Sequence, residues 1–161
     1  MKIRHAKPLP RCFSRQWKTI IAEGDIAVRP SAKLHAKLLI FETTKDLRTF
    51  WKSIGHDIGA KTLGAVNALS HEIHSFSKDG EKSWMECDPR YFCIIGLVKK
   101  HLRMEIICHE SIHAGFAYAK RRRGDFWTHA REMDEESVCY PAGRIASAIN
   151  RFLHDRGLYD R

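Results

Sequence analysis

The chain has 161 residues, 43% of them hydrophobic and 29% charged, a balance that argues against a disordered or fibrous polypeptide and predicts a single globular domain. Twenty-eight Lys and Arg against 19 Asp and Glu give a formal charge of +9, which admits nucleic acid, an anionic membrane or an acidic protein as partner without selecting among them. Five scattered cysteines, Cys12, Cys87, Cys93, Cys108 and Cys139, include no C-x-x-C pair. Neither a disulfide framework nor a cysteine-based zinc site is expected, and the reducing cytoplasm fits best.

Residues 1–16 carry Pro8, Pro10 and several Arg and Lys with no sustained periodicity, so a flexible basic arm is expected there, outside the core, with the folded domain over residues 17–161. The prolines and arginines interrupt any apolar run that would serve as an export signal. Leu34 to Phe41 reads as a buried strand. A helix capped by Thr43 or Thr44 follows over 44–54, with Leu47, Phe50, Trp51 and Ile54 on one face and Gly55 placed to end it.

Residues 63–76 alternate imperfectly and fit a strand or a short helix. Trp84–Cys87 and Tyr91–Val98, separated by Asp88-Pro89-Arg90, predict two strands in a hairpin or side by side. No apolar stretch approaches the ~20 residues that span a bilayer, so no membrane association is expected. From Lys99 to Arg122 the spacing turns helical, closed by Lys120-Arg121-Arg122-Arg123 and Gly124. Cations there complement the negative end of the helix dipole, and the same run offers a patch for an anionic ligand. A last helix runs from about Met133 to Asp155, with a kink or break expected at Pro141.

Within the first long helix lies His109-Glu110-Ser111-Ile112-His113. Residues four apart share a helix face, so the two imidazoles can ligate one zinc ion while Glu110 reaches a metal-bound water. A carboxylate-rich segment, Asp134-Glu135-Glu136, opens the next helix and offers a third ligand. Small residues at Cys139, Gly143 and Ala146 lie in phase with Glu136 and would let that helix approach Ala114 and Ala117, which favours Glu136; Glu135 shares the bulkier stripe and is the alternative ligand.

On residues 84–153 the chain resembles the gluzincin-type zinc metallopeptidases, in particular compact bacterial and phage proteins of the ImmA/IrrE-like kind. In these a strand precedes an H-E-x-x-H helix and a later helix supplies glutamate in an E-x-x-A pattern, matched here by Glu136-Ser137-Val138-Cys139 with Gly143 at the later small position. Cys139 in place of alanine, and Pro141 within the glutamate helix, depart from that pattern. The resemblance implies a small α+β zincin-like domain with a short, mostly antiparallel sheet. It also implies His109, His113 and Glu136 as zinc ligands and Glu110 as the catalytic base and acid. The implied function is a cytoplasmic zinc-dependent metalloendopeptidase that hydrolyses peptide bonds through a zinc-bound water activated by Glu110, with a protein or peptide substrate.

His129, Tyr91 and Tyr140 are candidates to stabilise the oxyanion, and the strands at Tyr91–Val98 or Trp84–Cys87 are candidates for an open edge that pairs with substrate. His71 and His74 read as surface histidines and Cys108 as a buried structural thiol. The tryptophans are too dispersed to form a base-stacking platform. The alternative function is a basic nucleic-acid- or protein-binding module with structural zinc or none. No recognisable nucleic-acid motif favours it, and the basic surface is expected to steer acidic proteins.

Overall fold

A computed structural model describes residues 4–5, 12–29, 31, 33–69, 72–76, 82–86, 88–123 and 133–159. Two strands made almost wholly of apolar residues form its centre. They are β3 (His35–Phe41) and β7 (Tyr91–Val98), and every residue of β7 is buried. They pair in parallel, from Ala36 opposite Cys93 to Phe41 opposite Val98. Strand β2 (Ile20–Ala27) adds to β3 and β4 (Gly64–Ala68) to β7, both antiparallel, giving the order β2-β3-β7-β4. A strand buried on both faces needs cover on both sides, and the helices supply it.

Helix α1 (Thr44–Ser53) lays Leu47, Phe50 and Trp51 on the face formed by Leu39, Phe41, Ile94 and Val98. Its start is fixed by Thr43, whose hydroxyl oxygen accepts from the Asp46 N–H at 3.2 Å. The sheet is flat enough to receive it because β7 carries Gly96, where a Cβ would stand 2.6 Å from Leu47 Cδ1 and from the Trp51 ring. Helices α2 (Met104–Arg123) and α3 (Glu135–Asp155) cover the other face, packing Ile107, Ala114, Ile145 and Ile149 on Leu38, Ile40, Phe92 and Leu97. This mixed four-stranded sheet with three helices agrees with the α+β class.

Several expectations need correction. Residues 63–76 split into β4 and β5 (Glu72–Phe76). The expected partnership between the strands at 84–87 and 91–98 does not form. Strand β6 (Lys82–Glu86) lies instead in a separate sheet, between β5 and β1 (Arg4–His5). Segment 1–16 is not wholly outside the core, since Phe13 is 2% exposed and its ring stacks on Trp17 and meets Phe50 edge-on. One aromatic among prolines and arginines has no period that would announce it. Helix α3 runs unbroken through Pro141, which lies in its second turn and frees only the carbonyl four residues back, close to the open end of the helix.

The two long helices meet at Gly115, where a Cβ would stand 2.7 Å from the Val138 carbonyl oxygen and 3.1 Å from Ala142 Cβ, while a Cβ on Gly143 would meet nothing within 4 Å. Opposite effects follow from the same substitution. Gly115→Ala should cost roughly 1–3 kcal/mol, because backbone cannot retreat like a side chain, and Gly143→Ala should gain about 0.5–1 kcal/mol from helix propensity. Chemical denaturation of the two variants checks this, and a gain at both positions would contradict the seating of α3 on Gly115.

Candidate metal centre

Turning Ile107, Ala114 and Ala117 toward the sheet fixes the rotation of α2 and hence the direction of every other side chain on it. His109 and His113 emerge one turn apart on its exposed side, with their Nε2 atoms 3.2 Å apart and ring centroids 4.8 Å apart. Two zinc–nitrogen bonds of ~2.0–2.1 Å at a tetrahedral angle span about 3.3 Å, so the pair has the separation that a shared zinc ion requires. Burial lowers the His113 pKa, and repulsion from His109 lowers it further, which keeps that imidazole in the neutral form a metal needs.

Glu110, one residue round the helix, is turned the other way and is only 5% exposed. It lies against the first residue of β4: a Cβ on Gly64 would stand 2.8 Å from Glu110 Cγ and 3.0 Å from its Oε1. The absence of a side chain at Gly64 makes the room that the carboxylate occupies. Burial pushes the Glu110 pKa up from the ordinary 4.5 to about 7, against an opposing pull from His109.

Strand β4 pairs with β7 and, among the described residues, with no other strand, so its outer backbone edge lies beside the Glu110 side of α2. The open edges expected at 91–98 and 84–87 are therefore not edges: β7 lies between β3 and β4, and β6 between β5 and β1. The sequence signal for β4 was Gly64 followed by small and apolar residues, too short a run to distinguish from a helix.

Glu136 is not brought to the histidines. The seat of α3, Gly115, lies two residues beyond His113, about 200° round the helix, so α3 packs on the side of α2 away from the imidazoles. Of the strip Cys139, Gly143 and Ala146 proposed to approach Ala114 and Ala117, Cys139 and Gly143 are exposed and Ala146 is half-buried against the core, while the contact at Gly115 runs through Val138 and Ala142. Glu136 is exposed in a hollow of about 350 Å³ with Tyr118, Arg122, Tyr140 and Arg144, and Glu135 is also exposed. Among the described residues no three His, Cys, Asp or Glu side chains are grouped to hold a metal ion. The donor set thus fits zinc at two histidines and, among the described residues, lacks a third protein ligand.

Of the other candidates, Tyr91 is committed elsewhere: its hydroxyl donates to Asp25 at 2.9 Å, and the buried Lys37 ammonium, paired to Asp25 at 2.6 Å, lies over its ring. Tyr140 is 69% exposed, on α3. Cys108, expected to be buried, is exposed. His129, His71, Cys87, Trp127 and the side chains of His74 and Trp84 lie outside the described residues. No described helix is long and apolar enough to cross a membrane. Comparison with family models, with curated proteins and with solved structures finds no match.

The raised pKa makes Glu110 a cost to the metal-free fold. A carboxyl that titrates near 7 folded and near 4.5 unfolded contributes no penalty below about pH 4.5, and its penalty grows from there to about pH 7 and levels off above it. Metal-free Glu110→Gln should therefore match the wild type in stability at pH 4.5 and exceed it at pH 8 by up to roughly 3 kcal/mol. Urea melts across that range test it, and a difference independent of pH would contradict the burial of an unpaired carboxyl.

Proposed function

We propose that the chain is a zinc-dependent metalloendopeptidase, with His109 and His113 holding the metal and Glu110 acting as general base and acid. The observation that carries this reading is the conjunction on one helix of two imidazole nitrogens 3.2 Å apart with a buried carboxylate at an open strand edge. An extended peptide added to the outer edge of β4 would be oriented by main-chain hydrogen bonds and would run past Gly64, beside Glu110. Ionised Glu110 accepts the proton of the attacking water and returns it to the departing amine, and a pKa near 7 suits both transfers at neutral pH. Zinc, when bound, supplies the Lewis acidity that polarises the scissile carbonyl. The resemblance noted in the sequence supports the same chemistry, and the free thiols at Cys12, Cys93, Cys108 and Cys139 support a cytoplasmic setting.

Purified protein should take up about one zinc ion per chain. His109→Ala and His113→Ala should each weaken uptake ~100-fold or more, whereas Glu110→Gln should keep the metal and lose ~10²–10⁴ in the rate of peptide hydrolysis. Zinc titration by calorimetry and a peptide-library digest measure these, and full hydrolysis by Glu110→Gln would overturn the mechanism. Glu136→Gln decides the third ligand. Unchanged affinity is the result required by the observed position of α3, and a loss equal to that of His113→Ala would show that α3 re-seats when zinc binds.

A further inference from the structure

On the far side of α2 from the histidines, arginines from three separate elements converge. Arg29 follows β2, Arg122 and Arg123 end α2, and Arg144 lies on α3; together they line the 350 Å³ hollow with Tyr118 and Tyr140. A second hollow of about 540 Å³ shares Arg29 and Arg144 and adds Arg151. Arg144 and Arg151 are seven residues apart on α3, two turns or about 10.5 Å, and the shared Arg29 and Arg144 make the two hollows adjacent parts of one basic groove. All five arginines are exposed, and none has an ion-pair partner among the described residues.

The dipole of α2 accounts for cations at its own C-terminal end, but not for Arg29 and Arg144, which come from other elements. Convergence of unpaired like charges costs energy unless an anion neutralises it. We infer that this groove binds single-stranded nucleic acid, with the arginines on successive phosphates and Tyr140 as a stacking surface for a base.

Three features favour that occupant over an acidic peptide. Every cation is arginine, whose planar fork matches phosphate bidentately and stacks on bases. Tyr140 stands 69% exposed beside those arginines, and its ring offers a base a stacking surface that a carboxylate side chain would not use. The groove also retains carboxylates, Glu136 in one hollow and Asp155 with the Lys37-paired Asp25 in the other, which an extended phosphate chain can bypass between its charges. The inference is independent of the zinc reading, because the groove and the histidines lie on opposite sides of α2.

Fluorescence anisotropy with a labelled 20-nucleotide oligothymidylate tests it on the full chain. Five phosphate contacts to a single strand give a log–log salt slope near −3.5, a loss of about 130-fold in affinity between 50 and 200 mM salt. Arg122→Ala with Arg144→Ala should weaken binding at least ~10-fold and flatten the slope by about half, and Tyr140→Ala should cost ~5-fold or more. Lys45→Ala with Lys52→Ala removes the same charge from exposed sites on α1, across the sheet, and should change affinity less than ~2-fold. Glu110→Gln should bind as the wild type does.

The single variants Arg29→Ala and Arg123→Ala, each expected to weaken binding ~3-fold, serve where the double variant fails to fold by its thermal melt. Any one of four results would overturn the inference: no binding at 50 mM salt, an equal loss from the two lysines, tighter binding of a duplex of the same length, or tighter binding of an oligoglutamate peptide.

Discussion

Burial of β3 and β7 on both faces is the constraint from which the rest of the molecule follows. A parallel pair cannot be closed by a tight turn, and strands without a polar side cannot face water. The chain therefore places α1 on one face, seated over Gly96, and the antiparallel pair of α2 and α3 on the other. Once Ile107, Ala114 and Ala117 are committed to the core, α2 has no freedom of rotation left. His109 and His113 must look outward and Glu110 must meet the edge of the sheet at β4.

That rotation gives α2 two chemically distinct flanks. On one, a desolvated carboxyl with its pKa near 7 stands one residue round the helix from two imidazoles, a combination suited to proton transfer and to a divalent cation such as zinc. On the other, beyond the close crossing at Gly115, lie Arg122, Arg123 and Arg144 with Glu136 among them. The formal charge of +9 is thus partly concentrated on the face away from the histidines. A basic groove there does not compete with zinc for the same field, because the body of α2 and the packed residues of α3 lie between them.

Much of this was legible in the amino-acid order, for identifiable reasons. Leu34 to Phe41, the apolar positions Leu47, Phe50 and Trp51 of α1 and the long periodic runs of α2 and α3 each carry a signal over several residues, and the structure places the elements there. His109 and His113 meet because a helix forces residues four apart to meet. Strand partners were not legible, since periodicity says which residues are buried but not which strand lies alongside. Hence β7 stands among the candidates for an edge although it is central, and β6 reads as its neighbour although it lies in another sheet.

The helix crossing was hidden for a related reason: small side chains at Cys139 and Gly143 marked a face that meets solvent, while the close contact forms where Gly115 of α2 receives Val138 and Ala142, on the bulkier stripe of α3. The charge of Glu110 was visible in the sequence, but its burial depended on Gly64, which lies 46 positions earlier and comes close only through the pairing of β4 with β7.

X-ray absorption at the zinc edge of the protein loaded with one equivalent of zinc tests the central claim most directly. The account predicts a nitrogen- and oxygen-coordinated ion with two imidazoles at ~2.0–2.1 Å and no sulfur. Both imidazole signals should disappear together with stoichiometric uptake when His109 and His113 are replaced by alanine. A spectrum with thiolate sulfur at ~2.3 Å, or one unchanged by that double replacement, would contradict it.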